Sequence, residues 1–227
     1  MEYVKINSLW KRHGWYFDAK DKTNTSPELQ AKRQSLIEGD YACPEFGNIR
    51  RWSVEEKVDG TNIRIIYKDG EVSIGGRTAN SQIPCALLQA LQKTFTRDAM
   101  SAAFPHDGDP WPNVVLYGEG YGPKIQAVGH NYRGDPGFIL FDVRVGSWWL
   151  KRDDVKAIAH NLGVAMVPQL GVMDEATIVQ YVKSKPLSLC SRIPQVMEGV
   201  VARSEPLMLT RSGSPVMFKL KVKEFVA

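Results

Sequence analysis

The strongest constraint on the fold is a run of strand-like segments between residues 52 and 76. Apolar and β-branched residues form three such segments, near 52–58, 61–68 and 71–76, separated by Asp59-Gly60 and Asp69-Gly70. An Asp-Gly pair between two strand-like segments is typical of a tight hairpin turn, because both residues tolerate positive φ. The run therefore predicts three consecutive strands joined by two hairpin turns.

Helix signals lie before and after this run. The segment TSPELQAKRQSLIEG has Ser26 at an N-cap position, Pro27 at the first helical position and Gly39 at the expected end, which predicts a helix. Three further segments have either amphipathic spacing or acids at the start and lysine or glycine at the end. They lie at 84–104, 152–163 and 173–185.

Further strand-like segments alternate with these helices, and no Pro/Gly/Ser-rich linker interrupts the chain. They lie at 113–120, 137–146, 195–203 and 215–225. This order predicts an α+β fold in which helices pack on antiparallel sheets. We expect one domain over residues 1–227.

Composition restricts the function classes only mildly. The chain has 227 residues, of which 43% are hydrophobic, and its net charge of +4 is compatible with phosphate-rich partners. Three widely separated cysteines, Cys43, Cys85 and Cys190, indicate neither a disulfide framework nor a zinc site. No run of 18 apolar residues and no signal peptide is visible. We therefore expect a soluble cytoplasmic protein without a membrane partner.

Lysines mark two strand ends. Lys57 closes the segment SVEEK, and a lysine there becomes a nucleophile only if burial or nearby positive charge disfavours its protonated form. Near the other end of the chain, FKLKVKEF alternates strictly, which predicts Lys219, Lys221 and Lys223 on one strand face. Such a face is either a solvated sheet edge or a clamp for phosphate.

Other candidate residues stand at strand ends beside glycine or in apolar strands. Glu119 lies between glycines in LYGEGYG, where the backbone can approach a ligand closely. The remaining candidates are Arg77 in GGRT, Phe141 and Asp142 in ILFDVR, and Glu198 and Arg203 in MEGVVAR. Taken singly, each has an ordinary structural interpretation.

Taken in order, these motifs resemble the covalent nucleotidyltransferases, the superfamily of ATP-dependent DNA and RNA ligases and messenger-RNA capping enzymes. The Lys-x-Asp-Gly motif of that superfamily matches Lys57-Val58-Asp59-Gly60, and the following Thr61-Asn62 makes the chain most similar to phage-type RNA ligases of the nick-sealing RNA ligase 2 group. The later matches are YGEG at 117–120, Phe141-Asp142, EGVVAR at 198–203 and KLK at 219–221.

The resemblance implies a nucleotidyltransferase (ligase adenylation) fold with the nucleotide between antiparallel sheets, and a three-step ligation. Lys57 attacks the α-phosphate of ATP and forms a lysyl-AMP. The AMP passes to a 5′-phosphate end of RNA, and a 3′-hydroxyl displaces it. Lys219 and Lys221 contact the α-phosphate, and Glu198 contacts Mg²⁺ or Mn²⁺.

The remaining implied roles concern the nucleoside and the leaving group. Glu119 binds the ribose hydroxyl, Phe141 stacks on adenine, and Arg77 binds the ribose or a phosphate. Asn62 supports the departure of pyrophosphate, and Arg203 lies near the nucleotide at a position that the family often gives to lysine. Glu55 lies two residues before Lys57, as a glutamate does in DNA ligases, and Glu56 lies directly before Lys57, as one does in the RNA ligase group. The sequence leaves open which of the two contacts the nucleotide.

The chain departs from the family after its last lysine motif. Ligases and capping enzymes usually carry a further domain there, often an OB-fold, whereas only six residues follow Lys221. We therefore expect an adenylyltransferase core without an appended domain. We expect it to be a monomer that acts on nicked duplex RNA. A phage-type ligase in a phage-infected cell would fit this expectation. A minimal DNA nick ligase and a non-catalytic nucleic-acid-binding relic remain alternatives.

Overall fold

The computed structural model describes residues 2–15, 26–78, 80–105 and 113–225. Within these ranges the helices are α1 (Pro27–Gln34), α2 (Cys85–Thr94), α3 (Arg97–Ala103), α4 (Gly129–Tyr132), α5 (Arg152–Asn161) and α6 (Glu175–Lys183). Short 3₁₀ helices lie at His13–Trp15, Pro44–Asn48 and Val222–Glu224. No helix in this part of the chain is long and apolar enough to cross a bilayer.

The strands are β1 (Asn7–Ser8), β2 (Trp10–Arg12), β3 (Leu36–Tyr41), β4 (Trp52–Lys57), β5 (Thr61–Lys68), β6 (Glu71–Gly76), β7 (Val114–Tyr121), β8 (Gly137–Val145), β9 (Trp148–Trp149), β10 (Ala165–Met166), β11 (Gln169–Met173), β12 (Gly199–Ser204) and β13 (Met217–Lys221). Most neighbouring strands pair antiparallel, and only β1–β13 and β8–β10 among the described pairs are parallel. The mixed architecture of antiparallel sheets and helices confirms the predicted fold class.

The chain divides into two compact units. Unit 1 comprises the described residues of Met1–Tyr3, Val58–Pro168 and Cys190–Gln195. Unit 2 comprises those of Val4–Lys57, Gln169–Leu189 and Val196–Ala227. Each unit contains its own large sheet, and the expectation of one domain over residues 1–227 stays a prediction.

The sheet of unit 1 has the strand order β10-β8-β7-β5-β6, with β9 paired to β8. Its apolar face carries side chains such as Ile63, Ile65, Leu116 and Leu140, which pack with α2, α3 and α5 in one core cluster. Because side chains alternate between the faces of a strand, the residues between these positions lie on the opposite face. Asn62 and Glu119 are among them.

A β-bulge interrupts the pairing of β7 with β8. Tyr117 pairs with Asp142, and Gly118 pairs with Leu140, so Phe141 is the extra residue on β8. A bulge shifts the alternation of side chains by one position. Phe141 and Asp142 therefore both lie on the face opposite the core, whereas Leu140 and Val143 belong to the core cluster.

The sheet of unit 2 has the strand order β1-β13-β12-β4-β11. Trp52, Val54, Val200, Phe218 and Leu220 lie on one face and pack with α6 in a second core cluster. Residues at the alternate positions of β4, β12 and β13 lie on the other face, which is mainly polar. The alternation in FKLK, residues 218–221, is therefore explained by the burial of Phe218 and Leu220 on one side of the strand.

The strands predicted near 52–58, 61–68 and 71–76 are confirmed with small differences at their ends. Asp69 and Gly70 form the predicted hairpin turn, with φ values of 51° and 75°. The prediction of a second hairpin at Asp59-Gly60 is wrong, because β4 and β5 pair in different sheets. Gly60 instead allows a close approach, since a Cβ there would lie 2.7 Å from Cγ of Glu119.

Two helix predictions are partly wrong. Helix α1 begins as predicted, with the Ser26 hydroxyl accepting from the amide of Leu29, but it ends at Gln34. Leu36–Tyr41 pairs with β2 instead, which buries Leu36. The segment 84–104 is two helices, because Thr96 has extended backbone and caps a new helix by accepting from the amide of Ala99.

The lysine face predicted for 219–223 extends only to Lys221. Residues Val222–Glu224 form a 3₁₀ turn, and the Glu224 carboxylate accepts the amide of Lys221 at 2.9 Å. Lys223 is consequently exposed and does not continue the strand. Periodicity alone could not indicate this, because the turn depends on a side-chain cap.

We predict that Gly118→Ala destabilises the protein by about 1–3 kcal/mol, as expected for overpacking in a core. A Cβ at this position would contact the ring of Phe138 and lie 2.5 Å from the carbonyl oxygen of Ile139. Urea unfolding measures the change. Gly134→Ala is the control, because the nearest atom there is the end of the Arg192 side chain at 3.3 Å. Equal stability of the two variants would contradict the prediction.

Candidate active site

The polar face of the unit 2 sheet aligns residues from three strands. Gly199 of β12 pairs with Lys57 on one side and with Lys221 of β13 on the other. In the next row of the same face, Val201 lies between Glu55 and Lys219. The register therefore brings both sequence-predicted lysine motifs to one end of one sheet face.

The Glu198 carboxylate lies between two of these lysines. Its Oε2 is 2.7 Å from Nζ of Lys57, and its Oε1 is 2.6 Å from Nζ of Lys221. Burial raises the pKa of Glu198, but the charge of Lys57 and the hydrogen bonds from both lysines outweigh this effect, so the pKa is lowered. Glu198 is thus ionised at neutral pH, and the lysine side chains remain about one-fifth exposed.

A glycine is required between the two lysines. A Cβ at Gly199 would contact the carbonyl oxygen of Leu220 and lie 2.7 Å from Cα of Lys221. The strands could not then approach closely enough for one carboxylate to reach both lysines. This explains Glu198-Gly199 as a pair: the first residue supplies the charge and the second supplies the space.

The pKa of Lys219 is lowered by its surroundings. Burial and the positive charges of Lys221, Lys57 and Arg12 lower its pKa to about 8, while Glu224 opposes the shift. The group is still mostly protonated at neutral pH. A cation whose own charge is disfavoured by three neighbouring cations gains the most when an anion binds beside it.

Arg12 is a cation of this region that the sequence motifs did not indicate. Its Nη2 pairs with the buried Glu224 carboxylate and donates to the Ser8 hydroxyl at 3.0 Å. Ser8 pairs with Lys219 in the sheet register, which explains why Arg12 affects Lys219. Only the basic run WKRH could have marked it, and basic runs are common on protein surfaces.

Glu55 and Arg203 form a buried ion pair on the same face. The two atoms Nη2 of Arg203 and Oε2 of Glu55 are 2.9 Å apart, and both side chains are almost fully buried. Gln169 of β11 donates to Oε1 of Glu55 at 2.6 Å. The structure thus places both of these predicted nucleotide contacts in an internal network that joins β4, β11 and β12.

Glu56 points the opposite way. It belongs to the apolar face of the sheet, is buried, and accepts from the Ser188 hydroxyl at 2.5 Å and from the amide of Leu189 at 2.8 Å. These contacts hold the chain after α6 against β4. Of the two adjacent glutamates, only Glu55 shares a face with Lys57.

Unit 1 aligns the other predicted residues in a row of its own. Asn62 pairs with Glu119, and Arg77 comes directly after Gly76, the last residue of β6, which pairs with Ile63. Arg77 is exposed, and the side-chain oxygen of Asn62 is buried without a hydrogen-bond partner among the described residues. A buried acceptor of this kind costs free energy unless another group donates to it.

The glycines around Glu119 also have a packing role. A Cβ at Gly118 would overlap Phe138, and one at Gly120 would lie 2.5 Å from Cδ2 of Leu87. Both glycines therefore make room for core side chains on the face opposite Glu119. Phe141 lies on the Glu119 face, one position after the core residue Leu140, and remains half-buried.

A divalent metal would depend on few protein ligands. The described residues contain no group of three or more His, Cys, Asp or Glu side chains that could hold a metal ion. Glu198 offers one ionised carboxylate beside three lysines. One hard oxygen ligand fits Mg²⁺ or Mn²⁺ bound together with substrate phosphates, which is a common arrangement in phosphoryl-transfer enzymes.

Solved structures similar to this chain include RNA ligases of Naegleria gruberi. A variant with ATP and Mn has a TM-score of 0.58 and 18% identity, over 78% of this chain and 51% of that one. The ligase with pyrophosphate has a TM-score of 0.57 and 20% identity, over 78% and 52%. A variant with AMP and Mn has a TM-score of 0.57 and 18% identity, over 78% of this chain and 52% of that one. The chain thus spans about half the length of these proteins, and the likeness concerns the fold.

A comparison with curated protein sequences gave no match. A sequence model of the RNA ligase family, in contrast, matches residues 50–221. This range begins before Lys57, ends at Lys221 and covers more than half of the chain. The chain belongs to the RNA ligase family.

Proposed function

We propose that this protein is an ATP-dependent RNA ligase that works through a covalent lysyl-AMP. Nζ of Lys57 attacks the α-phosphorus of ATP, a P–N bond forms, and the bond to the pyrophosphate oxygen breaks. An oxygen of an RNA 5′-phosphate then attacks the same phosphorus and releases Lys57. In the last step a 3′-hydroxyl attacks the activated 5′-phosphate, forms the phosphodiester and expels AMP.

The observation that carries this proposal is the arrangement of Lys57, Glu198 and Lys221 on one sheet face, with Lys219 in the next row. Phosphoryl transfer requires positioning and neutralised charge more than it requires covalent chemistry from the protein. Lys219 and Lys221 supply positive charge for the α-phosphate. The same charges favour the neutral amine of Lys57, the form that attacks.

Glu198 has two roles in the proposal. In the structure it holds the Lys57 ammonium in a short charge-assisted hydrogen bond, which orients the side chain but keeps it protonated. Attack therefore requires that Lys57 leave Glu198 and lose its proton. Once released, the Glu198 carboxylate would hold Mg²⁺ or Mn²⁺, which supplies further neutralisation of phosphate charge.

The residues of unit 1 are proposed to bind the nucleoside. Phe141 stacks on adenine, Glu119 accepts from a ribose hydroxyl, and Arg77 contacts the ribose or a phosphate. Asn62 lies directly beside Glu119, and its unpaired side-chain oxygen is consistent with a polar role. Glu55 and Arg203 are proposed to act indirectly, because their ion pair fixes β4 against β12. Strand β4 carries Lys57, and β12 begins directly after Glu198.

The RNA substrate is proposed to be a nicked duplex, bound by a monomer. With a net charge of only +4, the chain has a small excess of positive charge for contacts to nucleic acid, so the substrate must supply much of the positioning. A duplex does this by holding the 3′-hydroxyl and the 5′-phosphate together. A DNA nick ligase would use the same groups, and the sugar of the 3′-hydroxyl strand distinguishes the two.

We predict that the wild-type chain gains the mass of one AMP when it is incubated with ATP and MgCl₂, and that Lys57→Ala does not. Intact-mass spectrometry under denaturing conditions gives the result. Lys223→Ala is the matched control, because this exposed lysine lies in the turn after β13 and should leave the reaction unchanged. AMP on the Lys57→Ala variant would refute Lys57 as the nucleophile. The absence of any adduct on the wild type would favour a non-catalytic binding protein.

A second prediction concerns pH. Because the pKa of Lys219 is lowered to about 8, its positive charge is lost as the pH rises through this value. We expect kcat/KM for adenylylation to decline above about pH 8, since that parameter reports groups of the free enzyme. Lys219→Arg keeps its charge at high pH and should lack the decline. Identical profiles above pH 8 for the wild type and Lys219→Arg would contradict the assignment.

A third prediction concerns the substrate. A nick whose 3′-hydroxyl strand is RNA should be sealed at least about tenfold faster than the same two strands unpaired, because pairing supplies the positioning. The comparison includes the same nick with a DNA 3′-hydroxyl strand, at low and moderate salt. Equal or faster joining of unpaired strands would indicate a single-strand RNA ligase. Indifference to the sugar would favour the DNA-ligase alternative.

A further inference from the structure

We propose that Tyr3 and Arg152 are positioning residues that fix the orientation of Phe141 and so determine the affinity for the adenine base. The inference deepens the proposed function and rests on it, since Phe141 is the residue assigned to the base. Neither Tyr3 nor Arg152 belongs to a motif of the nucleotidyltransferase pattern. Both lie, with Phe141, in unit 1.

Phe141 needs support because it occupies a β-bulge. As the extra residue of β8, it has no partner in the register of β7, where Tyr117 pairs with Asp142 and Gly118 with Leu140. Phe141 follows the core residue Leu140 and so lies on the Glu119 face, and the bulge keeps the next residue, Asp142, on the same face. Regular pairing does not hold a bulged residue, so its orientation depends on contacts from other elements.

Arg152 supplies the first of these contacts. It is the first residue of α5, and its Nη1 donates to the carbonyl oxygen of Phe141 at 2.5 Å. Its Nη2 donates to Oδ1 of Asp142 at 2.6 Å. One guanidinium thus binds the backbone of the bulged residue and the side chain of the next one, which fixes the bulge from the helix side.

Tyr3 supplies the second contact, from 138 positions away in the sequence. Its hydroxyl donates to Oδ2 of the buried Asp142, and its ring meets the Phe141 ring edge-on, with centroids 5.0 Å apart. The ring also packs at 4.9 Å from Tyr117 and 6.0 Å from Trp149. An edge-to-face contact restricts the tilt of the neighbouring ring.

Asp142 connects the two contacts, because its two carboxylate oxygens accept from Tyr3 and from Arg152. Removal of either donor leaves a buried carboxylate short of one hydrogen bond and loosens the bulge. The expected consequence is specific: a ligand with a base loses affinity, whereas a ligand consisting of phosphates alone does not. A change in overall stability would affect both ligands alike.

The test uses two probes, α,β-methylene-ATP and inorganic tripolyphosphate, and measures their equilibrium affinities for the full chain by titration calorimetry. Tyr3→Phe and Arg152→Lys should each weaken the binding of α,β-methylene-ATP by about threefold to tenfold, the range expected for loss of one buried hydrogen bond, and should change the affinity for tripolyphosphate by no more than about twofold. Tyr67→Phe is the matched control, since Tyr67 is a buried tyrosine on the core face of the same sheet.

A double-mutant cycle with Phe141→Ala decides whether the two residues act through Phe141. In that background Tyr3→Phe and Arg152→Lys should cause no further loss of α,β-methylene-ATP affinity. Full additivity, or equal weakening of both probes, would overturn the inference even if the chain forms lysyl-AMP normally. A wild-type chain that binds neither probe and forms no adduct would instead overturn the proposed function, and this inference with it.

Discussion

The chemistry proposed for this protein depends on one interaction, the contact of the Glu198 carboxylate with Lys57 and Lys221. Lys57 comes from β4 and Lys221 from β13, and both pair with Gly199 of the strand between them. With Lys219, this sheet face carries three positive charges that repel one another. The Glu198 carboxylate lowers the free-energy cost of that repulsion. The buried pair of Glu55 and Arg203 fixes the register of the same strands one row away. The sheet thus holds Lys57, the proposed nucleophile, beside the two lysines proposed to bind the phosphates.

Unit 1 uses a different device to present its site residues. Regular alternation gives one face to the core and the other to Asn62, Glu119 and Phe141, and a β-bulge keeps Asp142 on that second face as well. The glycines beside Glu119 serve the core, since larger side chains there would meet Phe138 and Leu87. The polar positions of the motif are therefore set by packing on the opposite side of the sheet. Tyr3 and Arg152 are proposed to hold Phe141, which has no partner in the pairing of β8 with β7.

Sequence patterns predicted most of the strands, because alternation and spacing are local properties. They placed Lys57 at the end of a strand and Lys219 and Lys221 on one strand face, as the structure has them. Features that depend on distant partners could not be predicted. The strand at Leu36–Tyr41 exists because β2 pairs with it, and Lys223 leaves the strand because the distant Arg12 and Ser8 help to bury the capping Glu224. The same reason hid Arg12, Gln169, Tyr3 and Arg152, whose partners lie far away in sequence.

In the proposed reaction, the Lys57 amine exchanges its contact with Glu198 for a covalent bond to the α-phosphorus of ATP. A crystal structure of the wild-type chain after incubation with ATP and MnCl₂ would show this exchange. We expect continuous electron density from Nζ of Lys57 to the phosphorus of AMP, with Lys219 and Lys221 beside the phosphate oxygens and Glu198 no longer paired with Lys57. Density for AMP on another residue, or bound AMP with the Lys57–Glu198 pair intact, would contradict it.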